Sequence, residues 1–361
     1  MKSVGFIVLI SLGSTCFVAG QDIVLQGATC PSCEIHVRNG ALIPASGSDH
    51  GIAGEPRAIH HDAAGNFLVA DRPLPAVYDQ QGRFVTSLGR VGGGPGEFRY
   101  PSIPIPLPDD SVLVLDIGQR RATVLDPYYQ FVRQISLPGA FVSASVRHWP
   151  DSVLVSGILP SPERFGWPLH LVSLASDEAA IRKSAGPDDR GAFVSTDRVG
   201  VTGQPDTTFW THHSPYRLYE WDSALEVVRS FTREPDWWIT GDPNLPLGLP
   251  RERPPSSYVA AVSVGADGLL WIFSATAAPD WENGWLAPRG SSEVRPDQVD
   301  YETLYDTMVE VVDPVVNELL TSKRIPERVV APLPGGRAVA YLVSSAGSPQ
   351  LTILEFEVKG R

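Results

Sequence analysis

The pentapeptide Asp110-Ser111-Val112-Leu113-Val114 returns as Asp151-Ser152-Val153-Leu154-Val155, 41 residues further along. Gly54-Glu55-Pro56-Arg57 returns as Gly96-Glu97-Phe98-Arg99 after 42. Two echoes at nearly one period mark an internal repeat, and a period of this size limits the chain to a solenoid, a propeller or an array. The content of the repeat decides among them. A tight turn followed by a short apolar run occurs six times: "DAAGNFLVA" (62–70), "PDDSVLVL" (108–115), "PDSVLVS" (150–156), "QPDTTFWT" (204–211), "ADGLLWIF" (266–273) and "PGGRAVAYL" (334–342). Each run is β-branched or aromatic and bounded by Gly, Pro or Asp, as a strand leaving a hairpin would be. Downstream, Tyr78-Asp79, Leu125-Asp126, Trp221-Asp222 and Val312-Asp313 each join an apolar residue to an Asp. An Asp carboxylate there can accept backbone N–H groups across a second turn. Phe84, Phe131 and Val227 stand five residues beyond the first three, Glu318-Leu319-Leu320 takes that part after Asp313, and "LASDEAAI" (174–181) is a looser copy.

The unit is therefore strand, tight turn, strand, connection, strand, Asp turn, strand. Such four-stranded meanders, about 40 residues apart, are the blades of a β-propeller. Six first turns predict six blades, an all-β fold of four-stranded antiparallel sheets. The last repeat runs "RVVAPL", "AVAYLVS" and "LTILEFEV" and stops at Arg361, one strand short. "EIHVRNGALI" (34–43) belongs to no complete repeat. It is expected to supply the missing outer strand of blade six and close the ring, so that 34–361 forms one domain without an open edge. The 33 Gly and 33 Pro suit a chain with this many turns.

"GRFVTSLGRVGGGPGEFRYPSIPIPLPDDSVLVLDIGQRRATVLD" (82–126) carries a Gly-x-Gly-Pro-Gly-Glu-Phe linker, a Pro opening the inner strand and an apolar run ending in Asp116. The Arg120-Arg121 pair and a Val-Leu-Asp turn follow. In these features residues 54–139 resemble the NHL-type repeat and the exported bacterial six-bladed propellers built from it. The resemblance implies the fold and little about chemistry, because one architecture hosts scaffolds, ligand binders and enzymes. The glycines of "VGGGPGEF" do not make a phosphate loop: no helix follows and no Lys is present. They bridge the rim of blade one to the hub of blade two.

Residues 1–20, "MKSVGFIVLISLGSTCFVAG", combine a basic Lys2, an apolar run and small residues ending at Gly20. That pattern predicts a signal peptide cut before Gln21 and an exported protein, periplasmic or secreted. Gly13 stands where a lipobox before Cys16 would want Leu, which argues against a lipid tether. Residues 21–33 form an N-terminal lead holding "CPSC". Three chemistries compete for Cys30 and Cys33. A redox pair wants a helix N-terminus in a βαβ setting and a metal site wants more ligands than His36 and His50 offer, so a structural disulfide is favoured.

In a propeller the first-to-second and third-to-fourth turns share one face, and the remaining connections share the other. The long connections 89–101, 156–168, 233–256 and 274–302 all fall in the second set. Connections of that length without secondary structure of their own are usually functional or disordered. They carry Trp167, Trp237, Trp238, Trp281 and Trp285, which suit a sugar, a flat small molecule or a protein partner, or else plug the channel mouth and pack between blades. Arg72, Asp116, Arg120, His212 and His213, at the ends of second strands, are expected on the same rim, with Asp116 and Arg120 as a pair. His60, His61 and His148 lie near ends that lead to the plain face, and the repetition of Glu55 and Glu97 reads as structural.

No Gly-x-Ser-x-Gly elbow, His-Glu-x-x-His or triad is visible, so no catalytic residue, metal ligand or cofactor is assigned. A formal net charge of −12 disfavours nucleic acid. No segment of the mature chain is apolar enough to span a bilayer. The expectation is a module that binds a protein, glycan or small molecule through its long-loop face. The alternative is a metal-dependent propeller enzyme, a lactonase-like hydrolase or lyase with a divalent ion in the channel.

Overall fold

Each of the six apolar runs becomes the second strand of its own sheet. Blade one comprises Ile59–His61, Phe67–Val69, Ala76–Tyr78 and Phe84–Ser87; blade two comprises Ser102–Pro106, Val112–Asp116, Arg121–Leu125 and Phe131–Ser136. In blade three Ala140–Ser143 and His148–Trp149 both pair with Ser152–Ile158, and Leu169–Ser173 and Ala180–Ala185 follow. Blade four runs Val201–Gly203, Phe209–His213, Arg217–Trp221 and Val227–Thr232, and blade five Tyr258–Val264, Leu270–Ala277, Tyr305–Asp313 and Glu318–Ile325. Blade six takes Arg328–Leu333, Arg337–Val343 and Pro349–Lys359 from the C-terminal end and Glu34–Ile43 from the other. Glu34–Ile43 pairs antiparallel with Pro349–Lys359, from Glu34 opposite Lys359 to Ile43 opposite Leu351. The fold is a six-bladed β-propeller, closed as expected. This computed structural model describes residues 21–44, 50–70, 74–99, 102–143, 148–149, 152–158, 169–186, 201–203, 209–213, 216–240, 253–286, 298–344 and 346–361.

The recurring Asp has one task in each of these turns. Asp79 Oδ1 accepts the N–H groups of Gln81 and Arg83 at 3.0 and 2.9 Å; Asp126 Oδ1 accepts those of Tyr128 and Gln130 at 2.9 and 2.8 Å. Asp222 Oδ1 holds Ala224 and Glu226, both at 2.9 Å. With the turn clamped this way, the third residue after each Asp enters the left-handed region, Gly82 at φ 77°, Tyr129 at 62° and Leu225 at 59°. Residues with a Cβ seldom go there. Leu225 does so with its side chain buried between blades three and four. Tyr129 does so with its hydroxyl donating to Asp62 Oδ2 at 2.5 Å, which ties a turn of blade two to one of blade one.

The core is distributed. Leu270–Ala277 is buried along its full length, as are Val112–Asp116 and Arg121–Leu125, because middle strands meet a neighbouring blade on both faces. This is why they read as continuous apolar runs. Six apolar clusters each span one junction: blades one–two, two–three, three–four, four–five, five–six and six–one.

The lead does more than arrive at blade six. Gln21–Val24 adds to blade four as a parallel strand beside Val227–Thr232. Leu25 N–H then donates to Thr232 O at 2.9 Å, and the Thr29 and Cys30 N–H groups donate to Leu319 O and Leu320 O of blade five at 2.9 and 3.1 Å. Cys30 and Cys33 form a disulfide. Thr321 Oγ1 donates to Cys33 O at 3.0 Å, and the strand Glu34–Ile43 begins. One stretch of chain thus straps the outer edges of three consecutive blades.

Between blades one and two, Arg90–Val91 pairs in parallel with Glu97–Phe98 and folds the Gly-rich bridge on itself. Gly89 sits at φ 70°, and a Cβ there would lie 2.4 Å from the Phe98 ring and 2.5 Å from Gly96 O. Only glycine fits that crossing. Among the described residues no helix is long and apolar enough to cross a membrane.

Blades four and five are also joined by a buried charge. Glu310, fully buried in Tyr305–Asp313, accepts from Tyr216 Oη at 2.7 Å and from Arg233 Nη1. Burial pushes the Glu310 carboxyl up, and Arg233 and Tyr216 oppose that push. Arg233→Met should leave this carboxylate unpaired and cost about 3–5 kcal/mol in urea unfolding. Adding Glu310→Leu to that variant should restore most of the loss.

Candidate functional site

The described turns between first and second strands are short, as in 62–66, 107–111, 265–269 and 334–336. The antiparallel order of each sheet puts the long connections at the opposite face. The connection of blade five carries secondary structure of its own. Its second strand runs on to Ala277, a 3-10 turn spans Trp281–Gly284, and a one-turn helix spans Tyr301–Leu304. Asp300 caps that helix, accepting the N–H groups of Glu302 and Thr303 at 3.1 and 3.3 Å. Gly284 lies against it, where a Cβ would come within 2.9 Å of Asp300 O.

The sequence candidates separate into groups. Asp116 is fully buried and ends the second strand of blade two as expected, yet its cationic neighbour is Arg121 at 4.0 Å; Arg120 is exposed at φ 49°. Asp116 accepts from Arg99 N at 3.1 Å, Gln119 N at 3.0 Å and Gln119 Nε2 at 2.6 Å. Arg121 donates to Gly93 O at 2.8 Å and also reaches Glu97 O. The pair pins the Gly-rich bridge, a structural task. Trp237 and Trp238 are half-buried against the cluster between blades four and five, with ring centroids 6.4 and 5.3 Å from Tyr216. Trp281 and Trp285 are half-buried against Ala275, Leu304 and Tyr305, beside Tyr258 and Tyr301. His212 and His213 end the second strand of blade four, on the long-loop face. Arg72, Trp167 and the signal sequence expected at 1–20 fall outside the described residues.

What the sequence reading missed lies next to Trp281 and Trp285. Tyr258 opens the inner strand of blade five, Arg328 opens that of blade six, and Glu55 lies just ahead of that of blade one. These positions converge at the hub of the long-loop face. Arg328 is 6% exposed; its Nη2 donates to Glu55 Oε2 at 2.9 Å and its guanidinium lies 5.1 Å from the centre of the Tyr301 ring. Burial works against the charge, but the Tyr258 and Glu55 oxygens outweigh it and hold the guanidinium protonated. Its Nε and Nη1 are buried and have no hydrogen-bond partner among the described residues. Glu302 Oε1 is likewise buried without one. Burial pushes the Glu302 carboxyl up, while the Val343 backbone and Arg328 pull it down. Tyr341, opposite Arg328 in the sheet, lies within electrostatic reach of Glu302, Glu55 and Arg328, and burial pushes its phenol up.

The result is a buried guanidinium rimmed by the half-buried rings of Tyr258, Tyr301 and Tyr341, with two carboxylates beside it. Buried polar atoms are normally paired, so three without a partner among the described residues in one cluster call for an explanation. One sequence signal was available: Asp300 followed by Glu302 and Thr303 is a helix start inside a loop. Arg328 offered none, since an Arg opening an apolar strand is ordinary.

No family model matches the chain, and no curated protein matches it in sequence. Solved structures do match. A member of the DUF4221 family from Bacteroides vulgatus aligns at a TM-score of 0.65 with 11% identity, covering 91% of this chain and 99% of that one. A "putative exported protein" from Bacteroides fragilis aligns at 0.57 with 10% identity, covering 93% and 99%. The likeness is one of fold.

On the plain face, His61 ends the inner strand of blade one, packed edge-on to Phe67 with centroids 4.4 Å apart and Arg337 Nη2 3.4 Å from its Nδ1. Among the described residues no three His, Cys, Asp or Glu side chains gather closely enough to hold a metal ion. Burial, then Arg337, lower the His61 pKa from 6.5 to about 4, against a small opposing pull from Asp62. The unfolded chain therefore takes up this proton first, and stability should fall as pH drops from 6.5 towards 4. Urea midpoints compared at neutral and mildly acidic pH should show this loss, smaller in His61→Gln, whose side chain does not titrate.

Proposed function

We propose that the protein is an exported six-bladed propeller of NHL-like repeats, periplasmic or secreted, that works as a binding module through its long-loop face. One observation carries the reading. Among the described residues, the Arg328 cluster leaves buried donors and a buried acceptor without partners at the hub of the face that also holds the long connections. A fold maintained for packing alone would lose little by replacing them with apolar groups, and would avoid the cost of leaving each polar atom unmade, about 1–3 kcal/mol. Tyr258, Tyr301, Trp281 and Trp285 surround the cluster with aromatic surface, the usual material of recognition sites. The name of the Bacteroides fragilis neighbour and the N-terminal sequence both support export.

The test compares faces. Mature protein immobilised as bait should capture its partner from the producing cells' envelope and culture medium. Capture should fall about ten-fold in a Trp281→Ala/Trp285→Ala variant, as loss of an interface anchor predicts. It should be unchanged by Tyr128→Ser/Val315→Ser, two residues exposed on plain-face turns. Equal losses in both variants, or none in either, with thermal unfolding unaltered, would remove the reading.

A further inference from the structure

Many cationic side chains of this acidic chain are taken up by carboxylates: Arg38, Arg83, Arg133, Arg229 and Arg324 each form an ion pair. Arg57, Arg99 and Arg120 are exposed, and their side chains have no hydrogen-bond or ion-pair partner among the described residues. All three lie on the long-loop face. Arg57 stands just ahead of the inner strand Ile59–His61, and Arg99 just ahead of Ser102–Pro106. Arg120 closes the connection between Val112–Asp116 and Arg121–Leu125. The two inner strands touch. Arg57 and Arg99 also end the Gly-Glu-x-Arg echo, so the repeat sets a guanidinium at the same point of two consecutive blades.

One carboxylate holds the backbones of Arg99 and Arg120 together: Asp116 accepts the Arg99 N–H at 3.1 Å and the Gln119 N–H at 3.0 Å. The Arg99 guanidinium lies against Gly93, where a Cβ would stand 2.9 Å from Nη2, 3.2 Å from Cζ and 3.3 Å from Nε. Arg121 donates to the carbonyl of the same glycine at 2.8 Å, so two guanidinium groups meet at one residue. Asp116 answers Arg121 at 4.0 Å and Glu97 answers Arg90 at 3.8 Å. Arg99 and Arg120 remain as uncompensated positive charge among the described residues, and such a place draws an oxyanion. The N–H groups of Gly92, Gly94 and Glu97 are used within the bridge, on Phe98 O, Glu97 Oε2 and Gly94 O, so they form no nest for a phosphate. The donors left are guanidinium forks, which match a carboxylate with two parallel bonds.

We infer that the hub ends of blades one and two bind an acidic oligosaccharide, with Arg99, Arg57 and Arg120 taking carboxylates of one chain. The inference rests on the long-loop face being the binding face. A carboxylate set directly on a stiff sugar ring loses less freedom on binding than an Asp or Glu side chain of a flexible peptide, which favours the glycan as its carrier. A ligand that repeats its charge also suits a guanidinium that the fold repeats.

The experiment is calorimetric titration of the full mature protein with hexagalacturonate, with maltohexaose, hexaglutamate and inorganic phosphate as the comparison probes. Hexagalacturonate should bind with a Kd of about 0.1 mM or tighter at low salt, weaken as salt is raised, and bind more tightly than any of the other three. Arg99→Gln should weaken it about ten-fold, and Arg57→Gln and Arg120→Gln each about three-fold. Arg99→Lys, which keeps the charge without the fork, should also weaken it. These side chains have no partner to lose, so thermal unfolding should stay unaltered in all four variants. Arg83→Gln, in a plain-face turn, should bind as the parent does. Absent binding of hexagalacturonate, unchanged affinity in Arg99→Gln, or tighter binding of maltohexaose, hexaglutamate or phosphate would overturn the assignment. If hexagalacturonate fails while capture still depends on Trp281 and Trp285, the glycan assignment fails alone. If that dependence is lost as well, the binding-face reading falls with it.

Discussion

No blade of this propeller has a core of its own. The six principal apolar clusters are all shared across junctions, so a sheet such as that of blade five buries its middle strands only when blades four and six are both in place. Removing one junction would expose two faces and leave the ring open at both. Contacts between consecutive blades form over short sequence separations, with one exception. The six–one junction joins Leu333, Val339 and Ile353 to Ile59, Val69 and Tyr78. Ile43, from the strand that completes blade six, sits within that junction fully buried. Ring closure is the long-range event, and the other interfaces share in the cooperativity it supplies.

The strap reinforces that closure from outside. A closing strand alone would be held only by Pro349–Lys359; here the chain ahead of it is hydrogen-bonded to blade four and then to blade five. The disulfide falls between the blade-five contacts and the closing strand, where Thr321 and Lys323 of blade five donate to Cys33 O and Ile35 O at 3.0 and 2.9 Å. Local covalent stiffness therefore lies where the path must leave one blade for the next. The same strap covers part of the outer strands of blades four and five, edges that would otherwise present unpaired backbone.

What the sequence made legible follows from this physics. A strand buried on both faces has no freedom to be polar, so all six second strands stood out as apolar runs. An Asp that caps a turn by accepting two N–H groups is needed wherever that turn recurs, so Asp79, Asp126 and Asp222 advertised it. The closing strand was legible because the last repeat lacked one. Illegible were contacts that depend on three-dimensional convergence. Asp116 faces Arg121 and not Arg120, because Arg120 takes the left-handed position of the turn and its side chain leaves the sheet. The pairing of Gln21–Val24 with blade four had no repeat to announce it, since the lead lies outside the repeating unit.

At one point the repeat carries two different structural contacts. Glu55 and Glu97 occupy equivalent places in the repeat, and equivalence argues for one shared structural task. Glu97 performs it: its carboxylate accepts Gly94 N–H at 2.8 Å and folds the bridge between blades one and two. Glu55 instead reaches across the six–one junction to Arg328, 273 residues away in the chain. Glu55 lies on the bridge from the closing strand Glu34–Ile43 to blade one, while Arg328 opens a strand from the far end of the chain, so closure of the ring is what brings the two together. A site in a ring of like repeats needs such a break in equivalence, and the closure of the ring provides it where Arg328, Tyr258 and Tyr301 converge.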